Sequence, residues 1–563
     1  MSGRFKLATV LKGAVRPPEN DSAWLLDPGQ RMMPQHATMR RYEDSEEVDL
    51  CIVGAGAGGS TLAQRLARRG WRVVVLEAGP FWDPDRDWVS DEAGSHGLYW
   101  TDKRITGGQD PVQLGKNNSG IGVGGSMIHF AGYMPRFHPS DFQTWTLDGV
   151  GQDWPISYRD LKPHFERCEL EAPVAGQFWP WGDPHGYPHA PHPVSRQALA
   201  IWDGARRCGI EMRAGPVGIA NGVFGNRPHC IYRGLCLQGC KVHAKASPYT
   251  THLPDALAHG VEVRANSMAS RVPLEGDRAQ GVEYIDRTNG EHRFQRARAV
   301  AIAGYSVETP RLLLNSAQPG HPHGLGNNED QVGRCVMVQG APQVAARFPY
   351  EIRMYKAPPP EISSEQFYET DPSRGFARGF SLQTVGPLPI AWAEHVVAEG
   401  YWGQGLREYM RDYNHWAVLA VLCELLPLPE NRVTLADERD QHGLPVAHFH
   451  YSQCENDQQN IAFARGLMTE IWKHADAQDI LTIGRYAHLV GGCRMGTSPA
   501  YGVVNSDHQV WGVPNLFLAD GSVFCTQGSA NPALVIQALS SRLAERLASG
   551  RVSATGTPAG PDR

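Results

Sequence analysis

The feature that most limits what this chain can become lies near its start. Val48-Asp49-Leu50-Cys51-Ile52-Val53 is followed by Gly54-Ala55-Gly56-Ala57-Gly58-Gly59, then by Thr61-Leu62-Ala63-Gln64-Arg65-Leu66-Ala67-Arg68-Arg69-Gly70 and Arg72-Val73-Val74-Val75-Leu76-Glu77. In order, these read as a buried strand, a glycine loop, a helix, a second strand and an acid, which is the arrangement of a dinucleotide-binding βαβ unit. Gly54 allows the tight turn, Gly56 lets backbone approach a pyrophosphate, and Gly59 lets helix and strand pack closely. Glu77 is placed to accept hydrogen bonds from an adenosine ribose. The fingerprint demands a parallel sheet and a dinucleotide, yet it does not separate FAD from NAD.

A second informative stretch lies near the C-terminus, where Tyr486-Ala487-His488-Leu489-Val490-Gly491-Gly492-Cys493-Arg494-Met495-Gly496 precedes Gly528-Ser529-Ala530-Asn531-Pro532. Asn531 has the N-cap residue type and Pro532 suits the first helical position. Ile536, Leu539, Leu543 and Leu547 then repeat at helical spacing until Gly550. The start of that helix carries unpaired N–H groups and partial positive charge, which suits an anionic group such as the pyrimidine edge of a reduced flavin.

Three segments carry a resemblance. They are Asn118-Ser119-Gly120-Ile121-Gly122-Val123-Gly124-Gly125-Ser126-Met127-Ile128-His129 with Arg136, Gly304-Tyr305-Ser306-Val307-Glu308-Thr309-Pro310-Arg311 with Val332-Gly333-Arg334, and the pair His488 and Asn531, 43 positions apart. Together they resemble the glucose-methanol-choline (GMC) family of flavin oxidoreductases, nearest in pattern to its cytochrome-linked sugar and polyol dehydrogenases and its pyranose oxidases. The resemblance implies an α/β fold with FAD as cofactor: a Rossmann-like FAD-binding domain with a parallel sheet, assembled from discontinuous segments, plus a substrate domain with an antiparallel sheet. It assigns the FAD domain to 46–150, 226–345 and 483–549 and the substrate domain to 151–225 and 346–482, with 1–45 a polar arm and 550–563 a disordered tail. The cofactor-binding residues it implies are Gly54, Gly56, Gly59, Glu77, Asn118, Gly122, Gly125, Ser126, His129, Val263, Gly304, Asp520, Asn531 and Pro532.

The chemistry follows from the residue types. Oxidising an alcohol needs a base for the hydroxyl proton and an acceptor for the carbinol hydride, roles that fit His488 and flavin N5. Asn531 would hold the substrate oxygen as a fixed dipole. The chain departs from the family at Cys493, where Thr is common, which puts the local polarity in question. Most of the 23 histidines read as ordinary surface or core residues.

Two features leave alternatives open. His129 stands where some family members attach flavin covalently, and it also reads as a residue packed against the cofactor. Cys230, Cys236 and Cys240 form a cluster among 11 cysteines. They resemble the loop that ligates an iron-sulfur centre in cytochrome-linked relatives, although no fourth thiolate is nearby, and they also read as a structural loop. The cluster favours a dehydrogenase that passes electrons to a partner subunit or cytochrome. An oxidase making hydrogen peroxide is the alternative, and a flavin-binding electron-transfer protein without alcohol oxidation is an alternative of another class. The substrate is expected to be a sugar, a polyol or another alcohol, larger primary or secondary alcohols included.

A net charge of −6 with 20% charged residues gives no sign of a nucleic-acid partner. No apolar run reaches the ~20 residues needed to cross a bilayer. Lys12 interrupts the first apolar patch before a secretory core forms, so a cytoplasmic location is expected, with co-export beside a partner subunit as the exception.

Overall fold

The computed structural model describes residues 39–88, 91–115, 118–222, 224 and 227–550. Most of the expected arm and all but the first residue of the expected tail lie outside these.

The βαβ unit forms at Val48–Val53, Ala57–Ala67 and Val73–Leu76. These strands join a seven-stranded sheet in the order Glu262–Arg264, Val73–Leu76, Val48–Val53, His292–Ile302, Gly281–Asp286 and Ser267–Arg271. Leu516–Leu518 adds in parallel beside His292–Ile302. The valine-rich runs are buried on both sides. Val48, Cys51, Val74 and Leu76 belong to one apolar cluster, and Leu50, Ile52, Val73 and Val75 to another that includes Leu62 and Leu66 of the helix. A parallel strand covered on both faces needs apolar side chains at successive positions, which is why the run does not alternate. Val53 pairs with both Leu76 and Ile302, so the strands end level and the residues after them, Gly54, Glu77 and Gly304, meet at one edge. Ligands bind outside the carboxyl ends of such strands.

The second sheet has eight strands and is antiparallel, in the order Asp479–Ile483, Gln343–Arg347, Trp416–Cys423, Phe380–Val385, Ile362–Ser364 and Arg213–Ala214. Met337–Gly340 pairs with both Trp416–Cys423 and Tyr486–Val490. Two of these segments, 337–340 and 486–490, fall in stretches assigned from sequence to the FAD domain, and their hydrogen bonds belong to the second sheet. His488 is therefore carried by the antiparallel sheet and not by the dinucleotide unit. Likewise Ile105–Gly107, from the first nucleotide segment, pairs with Pro445–His450 in a separate three-stranded sheet. Among the described residues, no helix is long and apolar enough to cross a membrane.

Candidate active site

The two sheets enclose a cavity of about 420 Å³. Gly54, Gly56, Glu77 and Gly304 line it from the dinucleotide side, while Gln343, Gln383, Arg485 and His488 line it from the antiparallel sheet. The segment Asn531-Pro532-Ala533 closes the gap between them.

The glycine loop is set by close backbone approaches. Gly54 has φ +101°, and a Cβ there would lie 2.3 Å from the Ala303 carbonyl oxygen. A Cβ on Gly59 would lie 2.0 Å from the Gly54 carbonyl oxygen, and one on Gly58 only 1.7 Å from that of Ala519. Gly58 thus fastens the helix to the end of Leu516–Leu518, a contact the fingerprint does not encode. Glu77 is buried and accepts backbone N–H bonds from Ala55 at 2.9 Å, Gly79 at 3.0 Å and Gly122 at 3.1 Å. Burial raises its pKa against the pull of those donors.

The other expected cofactor residues divide. Asn118, Gly125, Ser126, His129, Gly304, Asp520, Asn531 and Pro532 line the cavity. Asn118 is locked by accepting from Gly115 N–H and donating to the Gln113 carbonyl, and Asp520 accepts from Tyr305 N–H and Thr309 Oγ1. Three do not line it. Gly59 acts through the packing just described. Gly122 reaches the cavity only by its bond to Glu77, and its position is closed to a side chain because a Cβ would meet Trp82 Nε1 at 2.6 Å. Val263 is a fully buried core residue paired with Val75, because the edge strand that carries it turns the side chain into the apolar layer.

His488 is held from both ring nitrogens. Its Nδ1 lies 2.6 Å from Gln339 Oε1 and its Nε2 lies 3.1 Å from Asn531 Nδ2. The Gln339 amide has no freedom to flip, since its Nε2 donates to the carbonyls of Gly528 at 2.7 Å and Ala530 at 3.0 Å. Gln339 Oε1 must therefore accept, Nδ1 of His488 must carry the hydrogen, and the Nε2 lone pair accepts from Asn531 Nδ2 at the cavity wall. Burial, helped by the nearby charge of Arg485, lowers the His488 pKa to about 4, so the ring is neutral at pH 7. Its φ of +36° is a strained value for a histidine.

Asn531 is not the helix cap expected of it. The helix runs Ala533–Ala548 with Pro532 at its cap position, and the Asn531 amide turns away to face His488. Cys493 is fully buried and does not line the cavity, so the departure from Thr leaves the base untouched.

His129 follows a short turn at Gly125–Ile128 and packs edge-on against Tyr99, with ring centroids 4.8 Å apart. Its Nε2 is buried without a hydrogen-bond partner, and burial, with Lys245 adding to it, lowers its pKa to about 3. Lys245 ties this wall to the cysteine loop by donating to the carbonyls of Ile128 and Phe130, both at 2.8 Å, and of Cys236 at 2.6 Å.

The cysteine loop itself does not assemble the ligand set expected of an iron-sulfur site. Cys230, Cys236 and Cys240 pack beside Tyr133, Val217 and Ile219 as free cysteines. Cys230 and Cys240 each accept a backbone N–H at 3.4 Å, from Tyr232 and Lys245, and burial pushes the Cys236 thiol up to about 12. Among the described residues, no three His, Cys, Asp or Glu side chains group to hold a metal ion. Lys245, through the Cys236 carbonyl, fastens this apolar patch to the cavity wall.

Gln339, Gly58 and Lys245 were not singled out from sequence. The one available signal was Gln339 as a lone polar residue in the otherwise apolar run Met337-Val338-Gln339-Gly340. A fully buried amide must find partners, although nothing local says which.

Comparison with known proteins bears directly on this geometry. The N-terminal GMC oxidoreductase family model matches residues 50–336 and the C-terminal one residues 427–540. The chain belongs to the GMC oxidoreductase family. This GMC oxidoreductase is 33% identical over 545 residues to 2-methyl-1,2-propanediol dehydrogenase of Mycolicibacterium austroafricanum, covering 88% of this chain and 94% of that one. It is 27% identical to 6'''-hydroxyparomomycin C oxidase of Streptomyces lividus, covering 89% and 91%. Its fold matches pyridoxine 4-oxidase from Mesorbium loti with a TM-score of 0.61 at 18% identity, over 89% of this chain and 99% of that one.

FAD is the cofactor and oxidation of a CH–OH group is the reaction. The residues present fit that cofactor. The glycine approaches leave backbone and no side chain along the cavity floor, and the eleven-residue helix Ala57–Ala67 begins there with no side-chain cap on its N–H groups. His129 Nε2, Trp100 Nε1, Gln343 Oε1 and Asn531 Oδ1 are cavity-wall polar atoms buried without partners, as expected where a ligand completes them.

Proposed function

We propose that this GMC oxidoreductase is an FAD-dependent dehydrogenase of a small alcohol or polyol, passing electrons to an acceptor other than dioxygen. The reading rests on the neutral His488 imidazole, whose Nε2 lone pair faces the cavity beside the Asn531 amide. A substrate hydroxyl entering between them would give its proton to Nε2, while Asn531 Nδ2 donates to the oxygen as charge develops. Bound FAD supplies the hydride acceptor. Gln339 keeps the imidazole in the tautomer that can act. The dehydrogenase preference is supported by the 2-methyl-1,2-propanediol dehydrogenase relative, and the aminoglycoside oxidase relative favours an oxidase as the second reading.

Anaerobic mixing with a panel of diols, polyols and sugars tests this directly. Bleaching of the flavin by at least one neutral alcohol is expected, followed by slow recolouring when oxygen is admitted. Recolouring within a turnover time would make the protein an oxidase, and no bleaching by any alcohol would reject alcohol oxidation. The pH profile carries its own sign. Protonation removes the base, and the folded His488 pKa is about 4, so the reduction rate should stay level from pH 8 down to about pH 5 and fall as pH drops through about 4. A fall centred near an unperturbed ~6.5 would contradict the buried neutral histidine.

We further propose that His129 is the covalent attachment point for FAD, on the support of its buried, partnerless and neutral Nε2 in the cavity wall. Acid precipitation of wild type should leave flavin in the pellet, and His129→Ala should release it to the supernatant. Release from wild type returns His129 to a packing role.

A further inference from the structure

Three arginines line the cavity, and two of them are matched. Arg104 and Arg311 both bind Glu308, and Arg311 also binds Asp440. Arg485 differs: among the described residues, its guanidinium makes no hydrogen bond and no ion pair. Four of the five carboxylates that share the cavity, Glu308 among them, are otherwise engaged. Glu77 is held by three backbone N–H groups, Asp520 by Tyr305 and Thr309, and Glu92 by the N–H groups of Ile390 and Ala391. Glu92 and Glu394 lie near each other and near Tyr99, which is also the ionisable neighbour of Arg485.

The position of Arg485 places it on the substrate side. Its carbonyl accepts from Ala341 N–H, which continues the pairing of Gln343 with Ile483 at the edge of the antiparallel sheet. In the same sheet, Gln343 and Gln383 both pair with Ala420, so the two glutamines flank it in one row, and all three residues line the cavity. Gln343 Oε1 is buried there without a partner. Arg485 also stands close enough to His488 for its charge to lower the histidine pKa. An enclosed guanidinium without a counter-charge is costly, and its planar fork is shaped for a carboxylate.

We propose that Arg485, at the Gln343 end of this row, is an anion-recognition site, and that the preferred substrate is a hydroxy acid whose carboxylate binds Arg485 while its carbinol meets His488 and Asn531. This rests on the alcohol-oxidation reading and narrows its substrate class. The balance is that of the parent reaction. The carbinol C–H leaves as hydride to the flavin and the O–H proton goes to His488, so the hydroxy acid departs as the oxo acid.

Binding and turnover are tested separately on FAD-loaded protein at constant ionic strength. Acetate and oxalate, which carry no carbinol, should perturb the flavin absorbance saturably, and Arg485→Gln should weaken that binding about 10²-fold. The ratio of kcat/KM for glycerate to that for glycerol should exceed one in wild type and fall about 10²-fold in the variant. Arg485→Lys keeps the charge without the fork and should lie between, which covers the case in which the glutamine variant does not fold. Arg485-dependent acetate binding without reduction by either substrate would support the anion site and reject alcohol oxidation. Reduction by glycerol with no acetate response would reject the anion site alone. A variant that loses glycerate and glycerol equally would also overturn the proposal, making Arg485 a partner of the cofactor.

Discussion

Replacing His488 with Ala is expected to slow anaerobic flavin reduction by about 10²–10⁴-fold while the protein stays yellow. The loss falls on the proton, because Nε2 is the lone pair that the Gln339 contact at 2.6 Å turns toward the cavity. The Gly54 turn and the Glu77 region would hold most of the cofactor, so FAD content should hardly change. Asn531→Ala should also slow reduction. The two losses should not multiply, because both side chains address one substrate oxygen and are themselves 3.1 Å apart. Gln339→Leu should lower the rate with no direct substrate contact, since the imidazole is then free to take the other tautomer, and its acid limb should move as well. Stopped-flow reduction of wild type, the three single variants and the His488/Asn531 double variant measures all of this. Near-normal reduction in FAD-loaded His488→Ala would mean that another group takes the proton.

Gly58→Ala is expected to abolish recovery of soluble, FAD-bearing protein, a loss of about 4 kcal/mol or more. A Cβ at this position would sit 1.7 Å from the Ala519 carbonyl oxygen and 2.9 Å from its carbon, and neither is the end of a side chain that can swing aside. Relief requires the helix Ala57–Ala67 to move off Leu516–Leu518, which opens the site where that helix begins. Gly466→Ala is the contrasting substitution. Gly466 is exposed inside the helix Glu455–His474 with nothing within 4 Å of the added carbon, so alanine should stabilise by roughly 0.5–1 kcal/mol. Thermal melts and flavin absorbance of both variants give the comparison, and a folded, yellow Gly58→Ala protein would sink the packing argument.

Much of this molecule is legible along the chain because the governing interactions are local. The helix after Gly54 and the apolar strands on either side of it follow from their own local patterns, and their order specifies a dinucleotide site before any contact is known, although the Gly54 turn itself packs against distant Ala303. The pair His488 and Asn531 is legible as well, through the motifs around each. What the chain does not announce is which distant backbone or side chain completes each group. Gln339 and His488 are 149 positions apart, and only the pairing of Met337–Gly340 with Tyr486–Val490 brings them together. That pairing places both strands in the antiparallel sheet, within stretches that sequence assigned to the FAD domain. Asn531 looked like a helix cap because its local preference is for capping, but the buried imidazole offered a stronger claim on its amide. Val263 and the three cysteines went the same way, toward packing, because burial against a particular neighbour decides whether a side chain meets a ligand or the core. Strand partnership and burial are non-local quantities, set when segments hundreds of residues apart compete for the same faces, and short motifs do not record the outcome of that competition.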